Sequence, residues 1–475
     1  MSHGYQEERK NMGITILGLG PGDASLLTLE ARKILEDAEE IYLRTSRHPT
    51  VASLPPHLRL HSFDCLYESE GEFSTIYEKI AAEIIQLGQR PEGVIYAVPG
   101  HPLVGEETVQ RILALSKNQD CEVRIVPGLS FIEAALTSLG IDPLAGLQIV
   151  DATILTERFH PNLDPDLPAL VGQLYSRRVG SEVKLTLMNL YPAEHEVTLL
   201  RHLGTPEAVT ETILLHELDH VKDIDHLTTL YVPPLPKASS VSTFHDIVAR
   251  LRAPGGCPWD REQTHQTLRP HLLEETYEVL QAIDEEDDDA LREELGDLML
   301  QIILHAQIAV EEGSFTLAQV LETIIEKIIR RHPHVFAGLE VADADEVLRN
   351  WQAIKREEKG EKEDELLWGM PLSLPALTLA RRAQERAKRE ELLSTSKDDL
   401  LSEAQDGLAQ LDEMQDEEEA AEALGRLLFT LTNLARHLGV DAESALRTAT
   451  VRFGEEVASS RRSAQLSDGQ PGPTR

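Results

Sequence analysis

The segment "EETYEVLQAIDEEDDDALREELGDLML", residues 274–300, decides the fold of the second half of this chain. Twelve of its 27 residues are Asp or Glu, yet apolar residues recur at helical spacing on both sides of the acidic run. Such spacing predicts amphipathic helices that pack together. The central "DEEDDD", residues 284–289, is expected to be a solvated loop or the acidic start of the second helix, where the helix dipole favours negative charge.

The other acids of this segment form two pairs at helical spacing. Glu275 and Glu278 lie three residues apart, as do Glu294 and Asp297, so each pair projects from one face of its helix. Glu274 lies one turn before Glu278. If the helices form an antiparallel hairpin, four carboxylates converge, and a hard divalent cation such as Mg²⁺ offsets their charge. The alternative is an exposed acidic face that nearby Arg and Lys neutralise.

A basic segment, "EKIIRRHPHVF" at residues 326–336, follows the acidic one. It ends a predicted helix before Pro333, and a cationic last turn that complements the helix dipole is the alternative interpretation. A metal on one side and Lys and Arg on the other are what a polyphosphate requires. The combination indicates a nucleotide polyphosphate hydrolase in which carboxylates orient a water for in-line attack and accept its proton.

Five residues are candidates for substrate contacts. Lys327 and Arg331 are one turn apart and are expected to contact the triphosphate, whereas the adjacent Arg330 points in another direction. Trp351 and Lys355, in "RNWQAIKREEK", are candidates for covering a base or a phosphate. Core packing is the alternative role for a tryptophan on a helix.

These stretches also resemble a known family. "GGCPWDREQTHQTLRPHLLEETYEVLQAI", "EELGDLMLQIILHAQIAVEEG" and "RRHPHVFAG" are similar to the MazG nucleoside triphosphate pyrophosphohydrolases, whose signature is EExxE followed by ExxD. The resemblance covers residues 242–456. It implies magnesium binding by the two acid pairs, a carboxylate at Glu274 that orients or activates water, and a second catalytic candidate in Glu278. It further implies hydrolysis of a nucleoside triphosphate to the monophosphate and diphosphate, with noncanonical nucleotides as one candidate substrate class, and assembly into homodimers or larger oligomers through the helical units.

A weak internal repeat adds a second helical unit. The stretch "EALGRLLFTLTNLARHLGVDAESALRTATVRF" aligns with the segment that begins at residue 293. In this alignment the Leu-Gly pair at 424–425 matches the Leu-Gly pair at 295–296. Ala423 then stands where the first unit has Glu294, and Arg426 stands where it has Asp297. We expect this unit to bind no cation and to act as a packing partner, although Arg426 neutralising a local acid is the alternative. In the same alignment, Glu274, Glu275 and Glu278 correspond roughly to Ser402, Glu403 and Asp406.

The first 233 residues have a different pattern. Short β-branched runs alternate with amphipathic stretches, and the runs are "ITILGLG", "GVIYAVPG", "VRIVPG", "VKLTLMNLY", "TILLHEL" and "TTLYVPPL". This alternation predicts an α/β fold with a largely parallel sheet. Three of the runs end in a Pro-Gly turn, at residues 17–23, 96–102 and 124–130. The carboxyl ends of parallel strands gather in a crevice where small ligands bind, so the turns are candidates for a ligand site, with ordinary tight turns as the alternative.

Together the turns resemble those of the tetrapyrrole methylase family. The similar stretches are "ITILGLGPGDASLLTLEARKIL", "VPGHPLVGEETV" and "VPGLSFIEAA", and the resemblance covers residues 13–233. It implies two α/β lobes with S-adenosylmethionine in the cleft between them. The residues that it implies shape this cleft are Gly18, Gly20, Pro21, Gly22, Gly100 and Pro102. "VPGHP" lacks the acidic residue of the GDP turn that is typical of the porphyrin-precursor enzymes, so the resemblance does not extend to a particular methyl acceptor.

Domain boundaries are predicted where the pattern changes. "VPPLPKASSVSTF" has the composition of a linker. The predicted parts are a disordered segment at 1–12, the α/β domain at 13–233, a linker at 234–241, the first MazG-like all-α unit at 242–358, a charged connector at 359–371, the second unit at 372–458 and a disordered tail at 459–475.

Charge and composition exclude some functions. The formal net charge of -37 argues against unassisted binding to nucleic acid or to an anionic membrane surface. Neither a signal peptide nor a long apolar run is visible, so a cytoplasmic protein is expected. Three functions fit the sequence: a magnesium-dependent pyrophosphohydrolase, which is our first choice, a methyltransferase whose helical half serves oligomerisation, and a ligand sensor without turnover.

Overall fold

The computed structural model of the protein describes residues 13–69, 73–119, 121–359, 367, 370–390, 392–393, 395–413 and 416–467. Contacts divide the chain into two compact units, residues 1–317 and 318–475. The segment at 1–12, predicted to be disordered, lies outside the described residues. Among the helices in the described ranges, none is long and apolar enough to cross a membrane.

The first unit begins with an all-parallel sheet. Its strands are β1 (Gly13–Gly18), β2 (Glu40–Leu43), β3 (Arg59–Ser62), β4 (Val94–Val98) and β5 (Glu122–Val126). They pair in the order β3-β2-β4-β1-β5. The surrounding helices are α1 (Leu29–Asp37), α2 (Asp64–Ser69), α3 (Phe73–Gly88), α4 (Glu107–Ser116) and α5 (Phe131–Leu139). Helices cover the sheet, and Ile14, Ile16 and Tyr96 are fully buried, as parallel strands require.

A second, mixed sheet forms the other lobe. Its strands are β6 (Gln148–Asp151), β7 (Ala169–Gly172), β8 (Glu196–Arg201), β9 (Val209–Leu214) and β10 (Thr228–Val232), with helices α6 (Ala152–Thr156) and α7 (Arg177–Leu187). Their order is β6-β7-β10-β8-β9, in which β6 and β7 pair in parallel and the other pairs are antiparallel. The two-lobed α/β prediction is confirmed. The expectation of a largely parallel sheet is wrong for this lobe, because the short connection at residues 202–208 joins β8 and β9 as an antiparallel hairpin.

One predicted strand is a helix. "VKLTLMNLY", residues 183–191, begins inside α7. The Ser176 hydroxyl caps this helix by accepting a hydrogen bond from the backbone N–H of Val179. Val183 and Leu187 are buried and lie four residues apart, so the apolar residues follow the helical period rather than the alternation of a strand.

The predicted linker is anchored to the α/β lobes. The Asp166 carboxylate accepts hydrogen bonds from the backbone N–H groups of Ser239 at 2.8 Å and Ser240 at 3.2 Å. Hydrogen bonding, with the largest effect from the Thr243 side chain, lowers the pKa of Asp166 to about 2. The Ser240 hydroxyl also caps the next helix, so the chain enters the helical region at a fixed point.

Four helices complete the first unit. They are α8 (Val241–Arg252), α9 (Pro258–Glu262), α10 (Arg269–Asp284) and α11 (Asp288–Glu311). Val248, Leu268 and Leu304 are buried together in their core. The acidic run at residues 284–289 connects α10 to α11, and the Asp287 side chain accepts hydrogen bonds from the first backbone N–H groups of α11. This confirms the prediction of an acidic helix start.

The second compact unit, residues 318–475, contains helices and no strand in its described part, as predicted for this half of the chain. Its helices are α12 (Leu317–Arg331), α13 (Pro333–Phe336), α14 (Ala344–Lys359), α15 (Ala376–Arg389), α16 (Lys397–Glu413), α17 (Glu417–His437) and α18 (Ala442–Ser467). Helices α16 and α17 pack against each other, as α10 and α11 do. The two segments of the predicted repeat begin within α11 and α17, so each supplies one helix of such a pair.

Some predicted boundaries differ from the observed ones. The division between the compact units falls at residues 317 and 318, inside the predicted unit at 242–358. Helix α18 continues through Ser467, so part of the predicted disordered tail is helical, and residues 468–475 lie outside the described part. Of the predicted connector, residues 360–366, 368 and 369 also lie outside it.

Candidate functional site

Three carboxylates converge where α10 passes α11. Glu275 and Glu278 lie on one face of α10, and Glu294 lies on the facing helix. One carboxylate oxygen from each residue lies within 4.8 Å of the others. Burial of Leu268 and Leu304 fixes the two helices against each other, so folding imposes the approach of these like charges.

The electrostatics of the group favour a cation. Burial, followed by the charges of Asp297 and Glu278, raises the pKa of Glu275. Burial, followed by the charges of Glu278 and Asp297, also raises the pKa of Glu294. Repelling carboxylate oxygens of this kind form the hard donor set that binds Mg²⁺ or Ca²⁺. The residues therefore fit a divalent metal ion.

The other two predicted acids lie beside this group. Asp297 is one turn after Glu294 on α11, and its charge acts on both raised carboxyls, although it falls outside the set within 4.8 Å. Glu274 is exposed, and its carboxylate lies 3.7 Å from Nδ1 of His271. The structure thus brings three of the predicted acids together, places Asp297 next to them and directs Glu274 toward a histidine that the sequence analysis did not select.

In the second compact unit, residues 318–475, Arg330 and Arg331 bind the same acid. The guanidinium group of Arg330 donates a hydrogen bond to Glu358 at 2.6 Å, and that of Arg331 donates to the same carboxylate at 3.1 Å. These bonds, the one from Arg331 first, lower the pKa of Glu358 to about 2. Sequence reasoning missed Glu358, although it lies seven residues after Trp351 and thus on the same face of α14.

A tryptophan and two cations form a cluster on α12 and α14. The Trp351 ring centroid lies 5.3 Å from the guanidinium carbon of Arg331 and 5.0 Å from Nζ of Lys355. Lys327 is half-buried on α12, one turn before Arg331. Together with Arg330 and Glu358, these residues make up the cationic cluster of α12 and α14.

The Pro-Gly turns of the first sheet lie against one another. The backbone N–H of Gly100 donates to the carbonyl of Gly20 at 2.8 Å, and the reverse bond is 3.3 Å. A Cβ atom on Gly18 would lie 2.6 Å from the carbonyl oxygen of Gly100 and 2.7 Å from the backbone nitrogen of Gly128. Only glycine permits this approach. Gly128 was not among the predicted residues, although its Pro-Gly turn is the signal that identifies it.

The remaining predicted cleft residues are packed around these turns. Pro21 and Pro102 are buried. A Cβ atom on Gly22 would lie 2.5 Å from Cγ2 of Thr205, so this position also requires glycine. The hydroxyl of Thr50 donates to the carbonyl of Gly22 at 2.8 Å and holds the first turn in place.

A buried ion pair at the same sheet edge was not predicted. Arg44, directly after β2, lies 3.0 Å from the carboxylate of Glu106, which precedes α4 and is buried. Burial raises the pKa of Glu106, and Arg44 opposes that effect. The guanidinium group of Arg44 also donates to the Tyr67 hydroxyl at 3.3 Å. A lone arginine after a strand gives no sequence signal for such a pair.

Helices α16 and α17 carry no matching donor set among the residues that the structure describes. Ala423 is buried, and Arg426 pairs with Glu422 on its own helix at 3.0 Å. Arg426 therefore neutralises a local acid, which is the alternative that the sequence left open. Glu403 accepts a hydrogen bond from the Thr430 hydroxyl at 3.3 Å.

Two families match the chain at separate places. The profile of the tetrapyrrole (corrin/porphyrin) methylases matches residues 13–219. The profile of the MazG nucleotide pyrophosphohydrolase domain matches residues 263–336. The second match contains the three carboxylates on α10 and α11.

Individual proteins are similar over longer stretches. The chain is 39% identical over 449 residues to the protein YabN of Bacillus subtilis, covering 93% of this chain and 91% of that one. It is 45% identical over 209 residues to the nucleoside triphosphate pyrophosphohydrolase/pyrophosphatase MazG of Thermotoga maritima, covering 44% of this chain and 80% of that one. A crystal structure of uroporphyrin-III-C-methyltransferase from Thermus thermophilus aligns with 47% of this chain and 93% of that one, at 21% identity and a TM-score of 0.37.

Proposed function

The chain, with a tetrapyrrole methylase domain ahead of a MazG domain, belongs to the same family as YabN of Bacillus subtilis, and we propose that it is a nucleoside triphosphate pyrophosphohydrolase. The convergence of Glu275, Glu278 and Glu294 within 4.8 Å carries this proposal. The reaction adds water to the α-phosphorus of a nucleoside triphosphate, breaks the bond to diphosphate and releases the monophosphate. The relative from Thermotoga maritima bears the name of this activity.

Magnesium is the proposed metal, held by Glu275, Glu278, Glu294 and Asp297. When bound, Mg²⁺ offsets the charge of the phosphates. Glu274 lies outside the three-carboxylate group and is exposed, so it is free of that role and is our candidate for accepting the proton of the attacking water. Glu278 is the second candidate for orienting the water.

The cationic cluster of the second unit is proposed to contact the substrate. Lys327, Arg330 and Arg331 supply guanidinium and ammonium donors that suit phosphate oxygens. Arg331 and Lys355 both lie over the Trp351 ring, and these cation–π contacts favour the observed positions of the two cations. Glu358 keeps the guanidinium groups oriented before substrate arrives.

A homodimer or larger oligomer is proposed through the helical units. Leu295, Met299 and Ile302 follow one another at helical spacing on α11, and each is between 43% and 49% exposed. Such an apolar row suits a further helical layer.

A second candidate function is methyl transfer in the α/β lobes. We propose that Gly18, Gly20, Pro21, Gly22, Gly100 and Pro102 shape a cleft for S-adenosylmethionine. The close approach of Gly18 to Gly100 supports this, because it brings two of the turns together at the carboxyl ends of parallel strands, where small ligands bind. Equilibrium binding of S-adenosylhomocysteine, with Gly18→Ala for comparison, tests it.

Product analysis tests the hydrolase directly. The full chain with Mg²⁺ and a panel of canonical and modified nucleoside triphosphates is expected to yield equal amounts of monophosphate and diphosphate. Glu285→Gln, an exposed change at the end of α10, serves as the matched control and should keep full activity. Nucleoside diphosphate and orthophosphate as products, or no turnover by folded protein, would contradict the proposal.

A further inference from the structure

An exposed aromatic pair lies beside the amino-terminal end of α10. Trp259, on α9, is 53% exposed. Its ring contacts that of His271 edge-on, with centroids 6.0 Å apart and planes at 69°. A tryptophan that exposes half of its surface without a core role is a candidate for ligand contact.

The segment that carries this tryptophan is rigidly held. The side chain of Arg252 is 5% exposed and pairs with Glu311 at 2.8 Å. Its guanidinium group also donates to the backbone carbonyl of Gln263 at 3.1 Å. Gln263 in turn donates from its side chain to the carbonyl of Trp259 at 3.0 Å. The indole is thus presented by a preorganised segment, which lowers the entropic cost of binding.

The pair lies on the carboxylate face of α10. His271, Glu275 and Glu278 are spaced by four and three residues, so they share one face of the helix. His271 precedes Glu275 by about 6 Å along the helix axis. Through its contact with His271, Trp259 therefore lies about one helical turn from Glu275, on the side away from the connection to α11.

The position of the cleaved bond determines how far the nucleobase lies from the carboxylates. This step rests on the proposed function: cleavage between the α- and β-phosphates places the reacting phosphorus next to the nucleoside. The base is then separated from the carboxylates by a single sugar. A side chain one turn from the carboxylates is within reach of the base, whereas a site that cleaved the terminal phosphate would hold the base farther away.

We propose that Trp259 stacks on the nucleobase of the triphosphate substrate and that His271 positions its ring. Stacking on an indole tolerates different bases, since every base has a π-face, so this contact supplies affinity with little base preference. Trp351 is less suited to the base, because Arg331 and Lys355 already lie over its ring at 5.3 and 5.0 Å.

Steady-state kinetics and calorimetry on the full chain test the assignment. Trp259→Ala is expected to raise the KM for a nucleoside triphosphate by about 5- to 100-fold while kcat changes by less than about threefold. Trp259→Phe should recover most of the loss. Inhibition by inorganic triphosphate, which has no base, should be unchanged in both variants. Trp351→Ala is the matched comparison and should weaken nucleotide and inorganic triphosphate together.

Other results would overturn the stacking role of Trp259, the proposed hydrolase function, or both. An unchanged KM in Trp259→Ala, or equal weakening of nucleotide and inorganic triphosphate, would overturn the stacking role. Thermal unfolding confirms that each variant is folded, and Trp259→Phe decides the case if the alanine variant is not. A parent chain that binds Mg²⁺-nucleotide without hydrolysing it would sink the proposed function, yet calorimetric affinities of the same variants would still test the stacking. A parent that binds no nucleotide would overturn both.

Discussion

At the residue scale, the raised pKa values of Glu275 and Glu294 express a conflict built into the fold. Burial and neighbouring carboxylates disfavour the charged form of both groups. Residues that conflict locally with the fold that contains them are expected at functional sites. A divalent cation resolves the conflict, so the same geometry that destabilises the metal-free protein becomes a binding site.

Replacing one of these acids should stabilise the metal-free protein and lower its activity. We expect Glu294→Gln to raise the melting temperature of the metal-free protein, because it removes a charge that its neighbours repel. The stabilisation by added Mg²⁺ should be lost, and pyrophosphate release should fall by at least about 100-fold. Thermal scans with EDTA and with Mg²⁺ measure both effects. A variant that keeps the full Mg²⁺ stabilisation would remove Glu294 from the metal site.

The metal-free protein should also respond to pH at this site. A carboxyl whose pKa is raised by folding binds more protons in the folded than in the unfolded state above its ordinary value of 4.5. Its contribution to stability is present below that value and is lost as pH rises. In EDTA, the parent should therefore lose melting temperature relative to the double variant Glu275→Gln, Glu294→Gln as pH rises above 4.5. Parallel curves would contradict the pKa assignment.

At the element scale, two helical pairs share a frame and differ in their acids. Helices α10 and α11 present three converging carboxylates, whereas α16 and α17 bury Ala423 at the corresponding place and pair Arg426 with Glu422. The packing of each pair comes from apolar spacing, and the chemistry comes from a few residues on the facing surfaces. Loss of the donor set therefore leaves the fold of the second pair intact.

The second pair should contribute no metal site. Glu403→Gln is expected to leave Mg²⁺-dependent pyrophosphate release within about twofold of the parent, because Glu403 accepts a hydrogen bond from Thr430 and belongs to no metal-binding group within the described part of the chain. Its effect on stability should correspond to one hydrogen bond, about 1 kcal/mol or less. Denaturant unfolding and the pyrophosphate assay measure the two. A loss of activity as large as that of Glu294→Gln would assign this pair a catalytic part.

At the scale of the whole molecule, the sequence predicted the classes of structure better than their connections. The two-lobed α/β half and the all-α half follow from apolar period, and the Pro-Gly turns meet as parallel strands require. The mixed second sheet was missed because β-strand direction depends on which strands pair, which local spacing does not encode. "VKLTLMNLY" was misread because short apolar runs suit both periods.

The candidate site was predictable to a similar extent. Acids at helical spacing predicted which side chains share a face, and the hairpin brought Glu275, Glu278 and Glu294 together. Glu358 and the pair of Arg44 with Glu106 were missed, because each depends on contacts between residues that are distant in sequence.

The two activities proposed for the chain should be independent, since fusion alone supplies no coupling. Gly18→Ala introduces a Cβ atom 2.6 Å from the carbonyl oxygen of Gly100 and should abolish binding of S-adenosylhomocysteine. Pyrophosphate release should stay within about twofold of the parent. Circular dichroism verifies that the α/β lobes remain folded. A large change in hydrolysis by a folded variant would reveal coupling between the domains.

The most direct test of the central claim is a magnesium titration of pyrophosphate release by the full chain, Glu275→Gln and Asp297→Asn. We predict saturable, Mg²⁺-dependent release by the parent and a loss of at least about 100-fold in each variant, because each removes a ligand of the proposed metal. Release that is independent of Mg²⁺, or that persists at the parent rate in both variants, would contradict the account.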